Sequence, residues 1–244
     1  MTPSVTRPTA TFERARRAVR RYGLGGTARE AARLARSYPA RRRWERLDRE
    51  YDRRHGVDTA GVVRLHDLSF ESENKAMGNR YEATTPDGFR DRLQRLDLGE
   101  GELTFIDLGS GKGRALLLAS EFPFKRIIGV EFSPELTEVA ERNAERYRGD
   151  AQRCREFELV CEDATTYELP DEPTVLYIYN SFEEPVMRAA LHNVRRSLER
   201  HPRPLTLLIV NRHLPLEAIA ETGFVPVDDT GEVFACAKRA ALAA

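Results

Sequence analysis

Hydrophobic positions along this chain change their period part-way. Between residues 11 and 54 they recur at helical spacing. Phe12, Ala15, Val19 and Tyr22 share one face, and Gly23, Gly25 and Gly26 end that stretch. Thr27 is placed to cap a second helix that runs to about Ser37, and Pro39 follows it. A third stretch, Arg41 to Arg54, puts Trp44, Leu47 and Tyr51 on one side. From about Gly56 to Glu82 the pattern is irregular and turn-rich. Pro86 to Leu96 reads as a helix again, with Phe89, Leu93 and Leu96 aligned.

Beyond residue 100 strand-like and helix-like runs alternate. Strands are predicted over Leu103–Leu108, Arg126–Glu131, Phe157–Cys161, Thr174–Tyr179, Leu205–Val210, Phe224–Val227 and Val233–Ala237. Helices are predicted over Lys112–Ser120, Pro134–Tyr147, Glu184–Arg200 and Leu216–Glu221. Such alternation predicts an α/β fold with a doubly wound parallel sheet covered on both faces. Only Asp228 to Glu232 separates the last two strands. That link is too short for a crossover helix, so the pair should close the sheet as an antiparallel hairpin. The expected organisation is a basic helical region over residues 1–82 and an α/β domain over residues 83–244.

Composition narrows the classes. With 244 residues and 41% hydrophobic content, the chain can bury one sizeable core and carry an appendage. No run approaches the roughly 18 apolar residues a membrane span needs. Met1 to Ala10 lacks the apolar segment of a secretory signal, so a cytoplasmic location is expected. Cys154, Cys161 and Cys236 have no regular spacing, which speaks against a disulfide framework or a zinc site. Cys161 and Cys236 each sit in an apolar run and read as small buried hydrophobes.

The formal net charge is zero, yet residues 1–54 hold 16 arginines, no lysine and six acids. The acidic excess lies in the rest of the chain. Solvated helix faces explain such a basic segment; a nucleic-acid or acidic partner is the alternative.

The chemistry concentrates after the first strand of the α/β region. Asp107 ends it, Gly109, Gly111 and Gly113 follow, and a helix opens behind them. Glycines there allow a sharp turn and let a ligand approach bare backbone, while the helix start offers unpaired N–H groups. Glu131 closes the second strand 24 residues after Asp107, where an acid can accept hydrogen bonds from ribose hydroxyls. Alone, the glycine turn does not choose among nucleotide cofactors. A nicotinamide enzyme usually carries a third glycine at a different spacing and no acid before the first.

Phe105-Ile106-Asp107-Leu108-Gly109-Ser110-Gly111-Lys112-Gly113 closely resembles the first motif of class I S-adenosylmethionine methyltransferases. The resemblance implies their Rossmann-like sheet of seven strands and S-adenosyl-L-methionine as cofactor. Asp107, Gly109, Ser110 and Gly111 would then hold the cofactor's amino-acid end. Gly129-Val130-Glu131-Phe132-Ser133-Pro134 looks like the second motif, with Glu131 on the ribose and Phe132 beside it. Asp163 and Ala164 look like the family's adenine-contacting segment. Tyr81 and Thr84, before the helix that leads into the first motif, match positions that lid the methionine end.

Tyr179, Asn180 and Glu183 are the catalytic candidates, at and after the end of the fourth strand. Asn180 also counts as a cofactor contact. Glu184 reads as a helix-start acid, and His213, after the fifth strand, as a surface residue or a base. Asn180-Ser181-Phe182 and the glycine turn are similar to the non-SET histone-lysine methyltransferases and to bacterial proteins that share their core. Those histone enzymes usually have Asn-Asn-Phe there, and the likeness is to the cofactor core alone. The resemblance therefore implies methyl transfer, with a nitrogen or oxygen of a small molecule or amino-acid-like amine as the expected acceptor. Protein lysine or arginine and RNA are the alternatives within that chemistry. A nicotinamide oxidoreductase or a non-catalytic nucleic-acid-binding protein are the alternatives outside it.

Overall fold

The computed structural model describes residues 42–69, 78–211 and 214–236. The two helices read before residue 41, and His213, lie outside the described residues. The chain divides into two compact units, Met1–Leu47 and Asp48–Ala244. In the first, residues 42–47 are helical, with Trp44 and Leu47 exposed.

The second unit opens with helical residues 48–55 (α1), whose Tyr51 is buried. Two short strands, β1 (Val62–Val63) and β2 (Tyr81–Glu82), pair antiparallel. Helix α2 (Pro86–Leu93) leads into the sheet domain. There, in order, come β3 (Thr104–Leu108), α3 (Arg114–Ala119), β4 (Arg126–Glu131), α4 (Pro134–Arg146), β5 (Phe157–Cys161) and β6 (Thr174–Tyr179). They are followed by α5 (Glu184–Arg200), β7 (Leu205–Val210), α6 (Leu216–Glu221), β8 (Phe224–Pro226) and β9 (Val233–Cys236).

The seven strands β3 to β9 form one sheet in the order β5-β4-β3-β6-β7-β9-β8. The first five are parallel, while β9 runs antiparallel to both β7 and β8. The expected terminal hairpin is therefore present, and β9 is inserted between β7 and β8.

The central strands are buried on both faces, as parallel sheets require. Their period of two divides the core. Ile106, Leu108, Leu176 and Ile178 face one layer, closed by Val186, Ala190 and Leu191 of α5. Phe105, Val175 and Tyr177 face the other, closed by Phe89 and Leu93 of α2 and by Leu116 to Leu118 of α3.

Helix α4 starts by the rules. Pro134 occupies its first turn, and the Ser133 hydroxyl accepts the Leu136 N–H at 3.3 Å. Helix α3 opens two residues later than its hydrophobic pattern suggests, because Gly113 takes the left-handed conformation at its N-cap.

One burial expectation is overturned. Cys161 is exposed, because it ends β5, which has a single neighbour in the sheet. Cys236 is half-buried, and the fully buried thiol is Cys154.

Candidate functional site

A parallel sheet collects the carboxyl ends of its strands along one edge, and the crevice forms where the strand order reverses. Here the reversal lies between β4-β3 and β6, so the ends of β3, β4 and β6 converge. The turn after β3 is hooked onto β4: the N–H groups of Gly109 and Ser110 both donate to the Val130 carbonyl, at 2.8 and 3.1 Å.

Gly109 has φ 83, and a Cβ there would stand 2.6 Å from the Ser181 side chain. Gly111 has φ 54, and its missing side chain is replaced by the ring of Tyr81. Both positions need glycine for conformation and for space.

Asp107 stands at the floor of the resulting cavity, 3% exposed, and its Oδ1 has no hydrogen-bond partner. Burial, and then the neighbouring Glu131 carboxylate, push its pKa well above its ordinary value. The buried Ser110 hydroxyl is likewise unpartnered.

Glu131 is better satisfied. Oε2 accepts the Gly111 N–H at 2.9 Å and Oε1 accepts the Ser133 N–H at 3.0 Å. Burial still raises its pKa to about 7, against the lowering effect of the backbone N–H groups. Glu131 thus braces both the glycine turn and the start of α4 while facing the cavity.

A second lobe opens beyond Gly109, between Val130, Phe132, Asp163, Ala164 and Phe182. Asp163 is fixed there by accepting the Thr165 N–H at 2.8 Å and hydroxyl at 2.7 Å. Phe132, Phe182 and Gly109 border both lobes.

The opposite wall of the main lobe comes from residues 79–84 and the end of β6. Asn79 donates from Nδ2 to the Asn180 carbonyl at 2.9 Å. The buried Thr84 hydroxyl pairs with Tyr177 Oη at 3.1 Å. Tyr179 and Asn180 line the cavity, and Asn180 holds a left-handed backbone (φ 49) that re-aims the chain after the strand.

The structure therefore gathers Tyr81, Thr84, Asp107, Gly109, Ser110, Gly111, Glu131, Phe132, Tyr179 and Asn180 around one lobe, and Asp163 and Ala164 around the next. Glu183 is the exception. It caps α5, is exposed and does not line either lobe. The chain turns outward after Phe182 to start the helix, and Glu184 beside it pairs with Arg188 at 3.0 Å.

Four residues escaped the sequence reading. Arg114, directly after the third glycine, is 1% exposed and lines the main lobe. Its guanidinium lies 4.1 Å over the Tyr51 ring and reaches Asp48 at 3.4 Å and Asp52 at 3.2 Å. Asp52 and Thr59 complete this cluster. Asn143 of α4 binds both the N–H and the carbonyl of Asp58, at 2.8 Å each, and the Lys112 carbonyl at 2.9 Å. One signal was available: an arginine opening an otherwise apolar helix opposes the helix dipole and needs nearby acids.

Residues 105–201, which include the ends of β3, β4 and β6, match the protein family described as a methyltransferase domain. This stretch is a methyltransferase domain. The release factor glutamine methyltransferase of Vibrio cholerae serotype O1 is 46% identical over 55 residues, 22% of this chain and 18% of that protein. The chain thus matches less than a fifth of that relative's length.

Among solved structures, the precorrin-6y C5,15-methyltransferase from Geobacter metallireducens GS-15 is similar at 17% identity and TM-score 0.46, covering 67% of this chain and 80% of that one. The glycopeptide N-methyltransferase MtfA complexed with S-adenosyl-L-methionine is similar at 18% identity and TM-score 0.41, covering 53% and 55%. Likenesses of this degree say nothing about the acceptor of this methyltransferase domain.

Proposed function

We propose that this chain is an S-adenosylmethionine-dependent methyltransferase acting on a nitrogen or oxygen of a small molecule, with an amino-acid-like amine as the simplest case. One observation carries the reading: a buried carboxyl oxygen of Asp107 without a partner, beside a glycine turn that lines the same cavity. A cationic partner is what lets a carboxyl buried in this way ionise. The ammonium group at the amino-acid end of the cofactor supplies one; a pyrophosphate does not. Glu131, which lines the main lobe, suits the ribose hydroxyls, and Asp163 with Ala164, which line the second, suit the adenine.

The bound cofactor supplies a methyl group on a positively charged sulfur, which leaves as a neutral thioether. The protein's own work is then alignment and exclusion of water. Tyr179 and Asn180 are the cavity-lining groups we assign to orienting the acceptor. Glu183 has no part in this proposal, because it stands outside the cavity. We assign the wall that closes the amino-acid end to residues 79–84. Lysine or arginine side chains and RNA bases offer the same nucleophiles. The likeness of Asn180-Ser181-Phe182 to the non-SET lysine enzymes makes a lysine amine the first macromolecular form to test.

Calorimetric titration tests the cofactor. S-adenosylhomocysteine should bind the wild type, NAD should not, and Glu131→Ala and Gly109→Arg should lose the binding. Unchanged affinity in both folded variants would sink the assignment. Labelled methyl transfer into extract fractions tests the acceptor. Label is expected in the small-molecule fraction; label on protein or RNA overturns that part of the reading.

A further inference from the structure

Residues 57–60 lie against the glycine-rich turn as a strap, and all three polar groups of Thr59 hold it there. Asp52 Oδ2 accepts the N–H of Thr59 at 2.8 Å and that of Ala60 at 2.6 Å. Asp52 Oδ1 accepts the Thr59 hydroxyl at 2.6 Å and Arg114 Nη2 at 3.2 Å. The same hydroxyl accepts from Arg114 Nε. Finally, the Thr59 carbonyl accepts the Tyr81 hydroxyl at 2.6 Å. Tyr81 in turn fills the space that a side chain on Gly111 would need. A continuous chain of hydrogen bonds therefore runs from α1 to the ring that roofs the glycine turn.

We propose that Asp52 is a positioning residue of the cofactor cavity: through Thr59 it fixes Tyr81 over Gly111, at the amino-acid end of the bound cofactor. The proposal rests on the S-adenosylmethionine reading above. Only a carboxylate fits the post. Four donors converge on its two oxygens, and a carboxamide would turn one acceptor into a donor facing them. The charge matters as well. Arg114 is buried, and removing one of its two acids leaves a desolvated guanidinium undercompensated.

A calorimetric cycle on the full chain tests this with two ligands. One is S-adenosylhomocysteine; the other, 5′-methylthioadenosine, lacks the amino-acid end. Asp52→Asn should weaken S-adenosylhomocysteine about tenfold, the scale of one lost charged hydrogen bond, and leave methylthioadenosine within about twofold. Tyr81→Phe keeps the ring but drops its bond to Thr59. Its loss should not add to that of Asp52→Asn in the double variant, because both break one chain.

General loosening of the fold would weaken both ligands alike, and that result overturns the proposal. So do additive losses. Should Asp52→Asn fail to fold, Thr59→Val removes the hydroxyl from the chain at constant shape, and the same selective weakening is required of it. Wild-type protein that binds neither ligand sinks the cofactor reading, and this proposal with it; binding without selectivity sinks this proposal alone.

Discussion

Asp107 carries a carboxylate into a place where it has no adequate partner, and that is costly in the free protein. The physical signature is a trade between stability and binding. Asp107→Asn removes the unpartnered acid at constant shape. It should leave the melting temperature without cofactor unchanged or raised by a few degrees, and weaken S-adenosylhomocysteine at least about tenfold. Melting curves and titration on one preparation check both halves.

Glu131 gives a pH signature of the same origin. Its pKa is raised from the ordinary carboxylate value to about 7 in the folded protein. The native state therefore binds more protons than the unfolded chain between about pH 4.5 and 7, and stability is lost as pH rises through that window. Glu131→Gln should flatten that part of the slope, while wild type keeps it in denaturant titrations at pH 5, 6, 7 and 8. Equal slopes would mean that Glu131 is not the responsible group.

At the scale of elements, the β3-turn-α3 unit is held from three sides: by β4, by α4 and by the strap. Asn143 shows how. One buried carboxamide satisfies the Asp58 backbone twice and the Lys112 carbonyl once. Asn143→Ala leaves buried backbone groups without partners and should cost about 2–3 kcal/mol in urea unfolding. A cost below about 0.5 kcal/mol would mean that the strap finds other partners.

At this scale the sequence was most legible. Alternation of period, proline at the starts of α4 and α5 and the short link between β8 and β9 all appear in the chain and in the fold. What it missed was contact between distant elements. Asp52, Thr59 and Arg114 are separated by up to 62 residues, and no local pattern marks them as neighbours.

For the molecule as a whole, cofactor binding and folding are linked. A ligand that binds only the folded state stabilises it by about 2.7 kcal/mol at one hundred times its Kd. For a domain of this size that is a rise of roughly 5–11 °C in melting temperature. S-adenosylhomocysteine should produce that shift, and NAD at the same concentration should produce none. The reverse pattern would favour a nicotinamide enzyme.

By itself the sequence determined the kind of fold and the shape of the cofactor turn, because both depend on short-range rules. Period two against 3.6, glycine where φ must be positive and an acid at a strand end are written residue by residue. Only the tertiary structure decided what surrounds them. It ordered the strands so that Asp107, Glu131 and Asn180 share one edge. It left Glu183 and Cys161 exposed, one at a helix cap and the other on an edge strand. It also brought Asp52 from α1 to a buried arginine. Burial and partnership depend on which segments meet in space, and so does the unpartnered carboxyl of Asp107 on which the functional reading rests.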